Sequence, residues 1–134
     1  MKKISKEIIS QALTDAESIL AKLAEPNTWC RGDFAEDAQS YSVNADDPRA
    51  VRWCLHGFIQ KFSPTSKASQ LLSLEIEKEV KARYHVASGI VQYNDNEAKD
   101  KFDIMVVMFE VRQALYQKTL PWYHWYKWLP RSRR

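Results

Sequence analysis

With 134 residues, 45% of them hydrophobic and 28% charged, the chain suits one globular domain with a core of its own. Two cysteines are too few for a disulfide-built scaffold, and the longest apolar run, Ile104–Phe109, is far too short to cross a bilayer. The net charge of +3 is unevenly placed. The last stretch carries Lys127, Arg131, Arg133 and Arg134 and no acid, whereas the segment from Asp33 to Asp47 carries Glu36, Asp37 and Asp46 besides its two ends and no base. Lys6 and Glu7 follow the opening Met-Lys-Lys-Ile at once, so no secretory apolar segment forms and a cytoplasmic location is the simplest reading.

In chain order, Ser5 to Ala24 reads as an amphipathic helix. Ile8, Ala12, Ala16, Ile19 and Leu23 form its apolar side, Ser5 is its N-cap and Pro26 stops it. Pro26 to Asp47 is a long connection, and a helical turn is expected near Phe34 to Gln39. A second helix is expected to start at Asp46 or Asp47, with Pro48 in its first turn. Its core stripe would be Val51, Cys54, Leu55, Phe58, Ile59 and Phe62, and Ser63-Pro64 ends it.

A third helix is predicted from about Ser66 to Tyr84, with Leu72, Ile76, Val80 and Tyr84 in line. Ser88-Gly89 and the Asn94-Asp95-Asn96 cluster bracket a short segment, Ile90 to Tyr93, that reads as extended. A fourth helix, roughly Ala98 to Lys118, is apolar nearly all round, which belongs in the centre of a bundle. The fold class expected is therefore all-α. It is a single-domain bundle of four main helices over residues 1–118 with a long first loop, followed by a short aromatic C-terminal helix or tail, 119–134.

Several positions break these patterns. On the expected second helix Trp53 falls roughly 160–200° from the core stripe, with Ala50 and Gly57 one turn to either side. Two readings stand: the long loop and Trp29 cover this face, or it is an open groove with Trp53 as a binding platform. Cys54 could serve as a nucleophile with His56 or His85 as base and Asp95 as orienter. Residues two apart on a helix diverge, however, and an inert core thiol fits the stripe better. Asn94-Asp95 reads as turn and capping chemistry. No metal site is expected, because Cys30, Cys54, His56 and His85 lack ligand spacing. Three glycines, at 32, 57 and 89, leave no phosphate-binding loop, and no cofactor is expected.

The tail holds Trp122, Trp125 and Trp128. Trp122, Trp125, Tyr126 and Leu129 share one face if Pro121 opens a short helix. Such a face suits this protein's own bundle or a second copy. Aromatics interleaved with Arg131, Arg133 and Arg134 also suit a foreign protein or a nucleic acid, and a membrane interface fits least.

Three motifs carry a resemblance: Trp29-x-x-Gly32, then Trp53-Cys54-x-x-Gly57 after Asp47-Pro48, then Tyr93-Asn94-Asp95. Over residues 5–117 the chain resembles a family of small helical proteins of bacteria and their phages whose pattern is W-x-x-G, W-C-x-x-G-A and W-N-D. Tyr93 stands where that family has tryptophan, Phe58 follows Gly57 where a small residue is usual, and the tail lies outside the pattern. The resemblance implies no activity. It implies a helical domain in which Trp29, Trp53 and the Tyr-Asn-Asp turn meet, and a phage or mobile-element origin with a host protein as partner. The function expected is a non-catalytic protein-interaction module. It would use Trp29, Trp53, Gly57, Tyr93, Asn94 and Asp95 together with the tail residues. A small cysteine- or aspartate-dependent hydrolase and nucleic-acid binding through the tail are the rivals.

Overall fold

The computed structural model describes residues 4–84 and 89–121. Helix α1, Lys6–Ala24, begins as its sequence dictates: the Ser5 hydroxyl accepts the Ile8 N–H at 3.3 Å. It buries Ala12, Ala16, Ile19 and Leu23 completely, the face set by the helical repeat. Helices α2 (Leu55–Phe62), α3 (Ser66–Tyr84), α4 (Gly89–Gln92) and α5 (Lys101–Thr119) follow, and α1 packs against both α3 and α5. A five-residue π-helical turn, Tyr93–Glu97, joins α4 to the approach of α5.

The chain is mostly helical, but it is not all-α. Three two-residue strands, β1 (Ala35–Glu36), β2 (Ser42–Val43) and β3 (Arg52–Trp53), form an antiparallel sheet in the order β2-β1-β3. Ala35 stands opposite both Val43 and Trp53. The helical turn expected near Phe34 to Gln39 is therefore a strand followed by a tight turn. There the Asp37 carboxylate accepts the N–H groups of Gln39 and Tyr41, each at 2.9 Å, and Ser40 takes a φ of +69°.

The second helix starts later than expected. Asp47 and Pro48 form a turn instead of a first helical turn: the Ala50 N–H bonds to the Asp47 carbonyl, and the Asp47 carboxylate holds the Arg49 N–H at 2.8 Å. Asp-Pro serves a turn and a helix start equally well, and the pairing of β3 with β1 decides for the turn. Cys54 is the N-cap of α2, its sulfur accepting the Gly57 N–H at 3.3 Å. The segment Ile90 to Tyr93 is helical, not extended. The start of α5 is capped by Asp100, whose carboxylate accepts from Phe102 and Asp103, so Asn94-Asp95 is left free for other work.

The core joins Ile19 and Leu23 of α1 to Phe58, Leu72, Ile76, Ile104, Met108 and Leu115. One buried polar contact crosses it: Asp15 accepts the Ser63 hydroxyl at 2.7 Å and the Gln11 amide at 2.8 Å, tying α1 to the end of α2. Contrary to expectation, α5 is not central. It buries Ile104, Val107, Met108, Val111 and Leu115, and leaves Phe102, Val106, Phe109 and Tyr116 exposed. Among the described residues no helix is long and apolar enough to cross a membrane.

Gly57 allows a close backbone approach. A Cβ there would overlap the Phe34 carbonyl oxygen, which also receives the Cys54 N–H at 3.2 Å. Gly57→Ala should thus destabilise the protein by about 2 kcal/mol, although alanine is the better helix former by about 1 kcal/mol. Urea denaturation monitored by helical circular dichroism measures the difference.

Candidate functional site

Three distant segments meet at the side chain of Asn94, which is 0% exposed. Its Oδ1 accepts the Trp29 indole N–H at 2.7 Å and the Leu55 backbone N–H at 3.0 Å. Its Nδ2 donates to the Cys30 carbonyl at 3.1 Å and to the Asp95 carboxylate at 2.9 Å. Both lone pairs and both N–H groups are used, so the amide orientation is fixed by its partners. One side chain therefore joins the loop after α1, the first residue of α2 and the π turn. Asp95 adds a further tie, accepting the Gly32 N–H at 3.0 Å, where Gly32 has a φ of +83°.

Around this centre Arg31 lies over the Trp29 ring, 4.9 Å from its centroid, and donates to the carbonyls of Ala98 and Lys99. Trp29 and Trp53 meet as a parallel bridge. Trp53 is not an open platform. It is 4% exposed, its indole N–H donates to the Ala45 carbonyl at 2.8 Å, and its ring packs on Phe58 and Phe62. The loop covers it, and the helical-wheel argument fails because Trp53 belongs to β3. Gly57 faces Phe34 of the same loop. Tyr93 is fully buried with its ring edge-on to Tyr84, and burial raises its phenol far above the usual range.

The site residues expected in the tail, Trp122, Trp125, Tyr126, Trp128, Arg131, Arg133 and Arg134, lie outside the described residues, as does His85.

The acidic loop is partly neutralised by the arginines that follow it in the chain. Arg52 bonds to Glu36 at 3.2 Å, the Asp37 carbonyl and the Ser40 hydroxyl. Arg49 grips Asp47 and holds that carboxyl down at about 2.

A cavity of about 230 Å³ opens beside the Asn94 centre, lined by Gly32, Asp33, Phe34, Ser42, Cys54, Val91 and Asp95. A broader groove of about 600 Å³ runs from Asn44 and Asp46 to Ser66 and Gln70. Among the described residues neither cysteine sulfur is hydrogen-bonded to an imidazole or a carboxylate: Cys30 bonds to the Asp33 carbonyl and Cys54 accepts from Gly57. His56 lies against Phe34, with ring centroids 5.2 Å apart. Desolvation pushes the Cys30 thiol up to about 12, with Glu36 adding to the effect, and burial also raises Cys54. Among the described residues no three His, Cys, Asp or Glu side chains are grouped to hold a metal ion. No family model, curated protein or solved structure matches the chain.

Sequence reasoning missed the outward stripe of α5. Phe102, Val106, Phe109 and Tyr116 are 67%, 41%, 48% and 49% exposed. Their spacing of four, three and seven residues was readable as a seam distinct from the core face.

Removing the Asn94 amide strands the Trp29 indole N–H, the Leu55 N–H and the Cys30 carbonyl in a dry interior. Asn94→Ala should cost about 3 kcal/mol or more, at roughly 1–3 kcal/mol per orphaned group. Chemical denaturation checks it, and a loss below about 1 kcal/mol would show that Asn94 is not the joint. The thiols make a second prediction. Cys30 titrates higher folded than unfolded, so its contribution to stability is full below about 9 and is lost as pH rises towards about 12. Stability should fall across that window, less steeply in Cys30→Ala. Less thiolate is present at Cys30 in the folded than in the unfolded chain at neutral pH, and its alkylation should be slower in the native protein than in denaturant.

Proposed function

We propose that the protein is a non-catalytic interaction module whose docking surface is the outer face of α5. The observation that carries this reading is the stripe Phe102, Val106, Phe109 and Tyr116, exposed along a helix whose other side fills the core. With Gln113 in the remaining place, these residues repeat at alternating intervals of four and three. That is the seam by which one helix packs on another. Scattered exposed apolar side chains need no partner, whereas four on one helical seam, with Gln113 as the one polar interruption, support an interaction surface.

Trp122 to Arg134 follow α5 in the sequence, and their aromatic and basic residues would widen the contact and steer acidic partners. The Trp29/Trp53 surface contributes indirectly, since Trp53 is spent on internal packing. On the resemblance to small bacterial and phage proteins, the partner is a host protein met in the cytoplasm.

The test is the double substitution Phe102→Asp/Phe109→Asp. Both side chains are exposed, so helical content and unfolding midpoint should stay near those of the wild type, within about 0.5 kcal/mol per site. Crosslinking in the source cell followed by affinity capture should recover a defined partner with the wild-type chain and lose it with the variant. Identical recovery from both, or none from either, would refute the reading.

A further inference from the structure

The sequence twice places a tryptophan before a cysteine, Trp29-Cys30 and Trp53-Cys54, and the fold lays the two dipeptides side by side. Trp53 N–H donates to the Thr28 carbonyl at 2.9 Å and Cys30 N–H to the Trp53 carbonyl at 3.1 Å, the alternating pattern of a parallel pair. Cys30 and Cys54 are therefore the next residues in register. Neighbouring strands run about 4.8 Å apart and their in-register side chains point to the same side. A disulfide spans Cα separations of roughly 4.4–6.8 Å, so the pair needs little backbone movement to close. Both thiols are free and buried.

The two cysteines are both nearly buried, Cys30 at 7% and Cys54 at 3% exposed. They differ in surroundings: Cys54 lines the 230 Å³ cavity, and Cys30 is not part of its wall. Cys54 also caps α2, where the Gly57 N–H points at its sulfur. That donor favours a thiolate there, against the burial that opposes it. Cys30 has a weaker tie, its S–H to the Asp33 carbonyl at 3.6 Å.

We propose that Cys30 and Cys54 form a redox-modification site that closes into an intramolecular disulfide by exchange with a low-molecular-weight disulfide such as oxidised glutathione. Cys54, deprotonated to solvent, attacks one sulfur of the glutathione disulfide. A mixed disulfide forms and one glutathione thiolate leaves and takes a proton. Cys30, once deprotonated, attacks the Cys54 sulfur, forming the Cys30–Cys54 bond and releasing the second glutathione. Two protein thiols are oxidised and one glutathione disulfide is reduced to two thiols. The Cys54 sulfur can still accept the Gly57 N–H afterwards, and only the Cys30 contact with Asp33 is given up. The bond would fasten the loop after α1 to the start of α2 and close off the strand-bearing loop between them.

The experiment is a glutathione redox titration of the native full chain, approached from the reduced and the oxidised side, with acid quench, alkylation and mass spectrometry. The expected result is joint loss of both alkylatable thiols, a mass lower by about 2 Da for a new disulfide, and a crosslinked peptide pair containing Cys30 and Cys54. Cys30→Ala should instead accumulate a glutathione adduct on Cys54, and the oxidised wild type should unfold at a higher temperature than the reduced form. Persistence of two free thiols at the oxidising limit would overturn the proposal. So would a disulfide between two copies, or an oxidised form that unfolds at a lower temperature. The wild-type arm needs no variant to fold.

Discussion

A single buried amide organises this protein. Asn94 accepts from an indole and from the first amide of α2, and donates to the Cys30 carbonyl and to Asp95. Burying a primary amide is costly unless every donor and acceptor is matched, and here all are. The cost becomes specificity: the loop after α1, the start of α2 and the π turn can meet in one arrangement only. Asn94 lies within the π turn, Tyr93–Glu97, a kind of turn found often at positions with a special role.

The same constraint explains which parts of the fold were legible in the sequence. α1 and α3 were readable almost to their ends, because their apolar repeats and caps are local. The segment between Pro26 and Cys54 was not. Its order comes from partners far along the chain: Trp29 to Asn94, Trp53 to Ala45 and Thr28, and Gly57 beneath Phe34. Asp47-Pro48 illustrates the ambiguity, since the dipeptide suits a turn and a helix start equally and only the pairing of Arg52–Trp53 with Ala35–Glu36 distinguishes them. Once Trp53 moved from a helix to a strand, its place on a helical wheel lost meaning. Trp29, Cys30, Leu55 and Asp95 meet at Asn94, a convergence of distant segments that helical periodicity alone could not indicate.

The convergence also limits the chemistry of the site. Asn94 spends its whole hydrogen-bonding capacity on structure, Asp95 takes two donors, and Arg31 is divided between a ring and two carbonyls. Cys54 caps a helix and Cys30 is pushed towards its neutral form. Of the two imidazoles considered as a base for Cys54, His56 is laid against Phe34 and His85 lies outside the described residues. Cys54, Asn94 and Asp95 each hold part of the loop in place.

Helix α5 presents the opposite economy. Its apolar residues encircle it, yet α1 and α3 cover only the side bearing Ile104, Met108 and Leu115. A helix with such a sequence at the edge of a bundle leaves large side chains in water, at a penalty of roughly 25 cal/mol for each Å² of apolar surface that a partner could cover. Phe102, Val106, Phe109 and Tyr116 keep 41–67% of their surface in water, and on the proposed reading a partner covers it. A seam at alternating intervals of four and three matches another helix more closely than it matches a flat sheet or a small ligand.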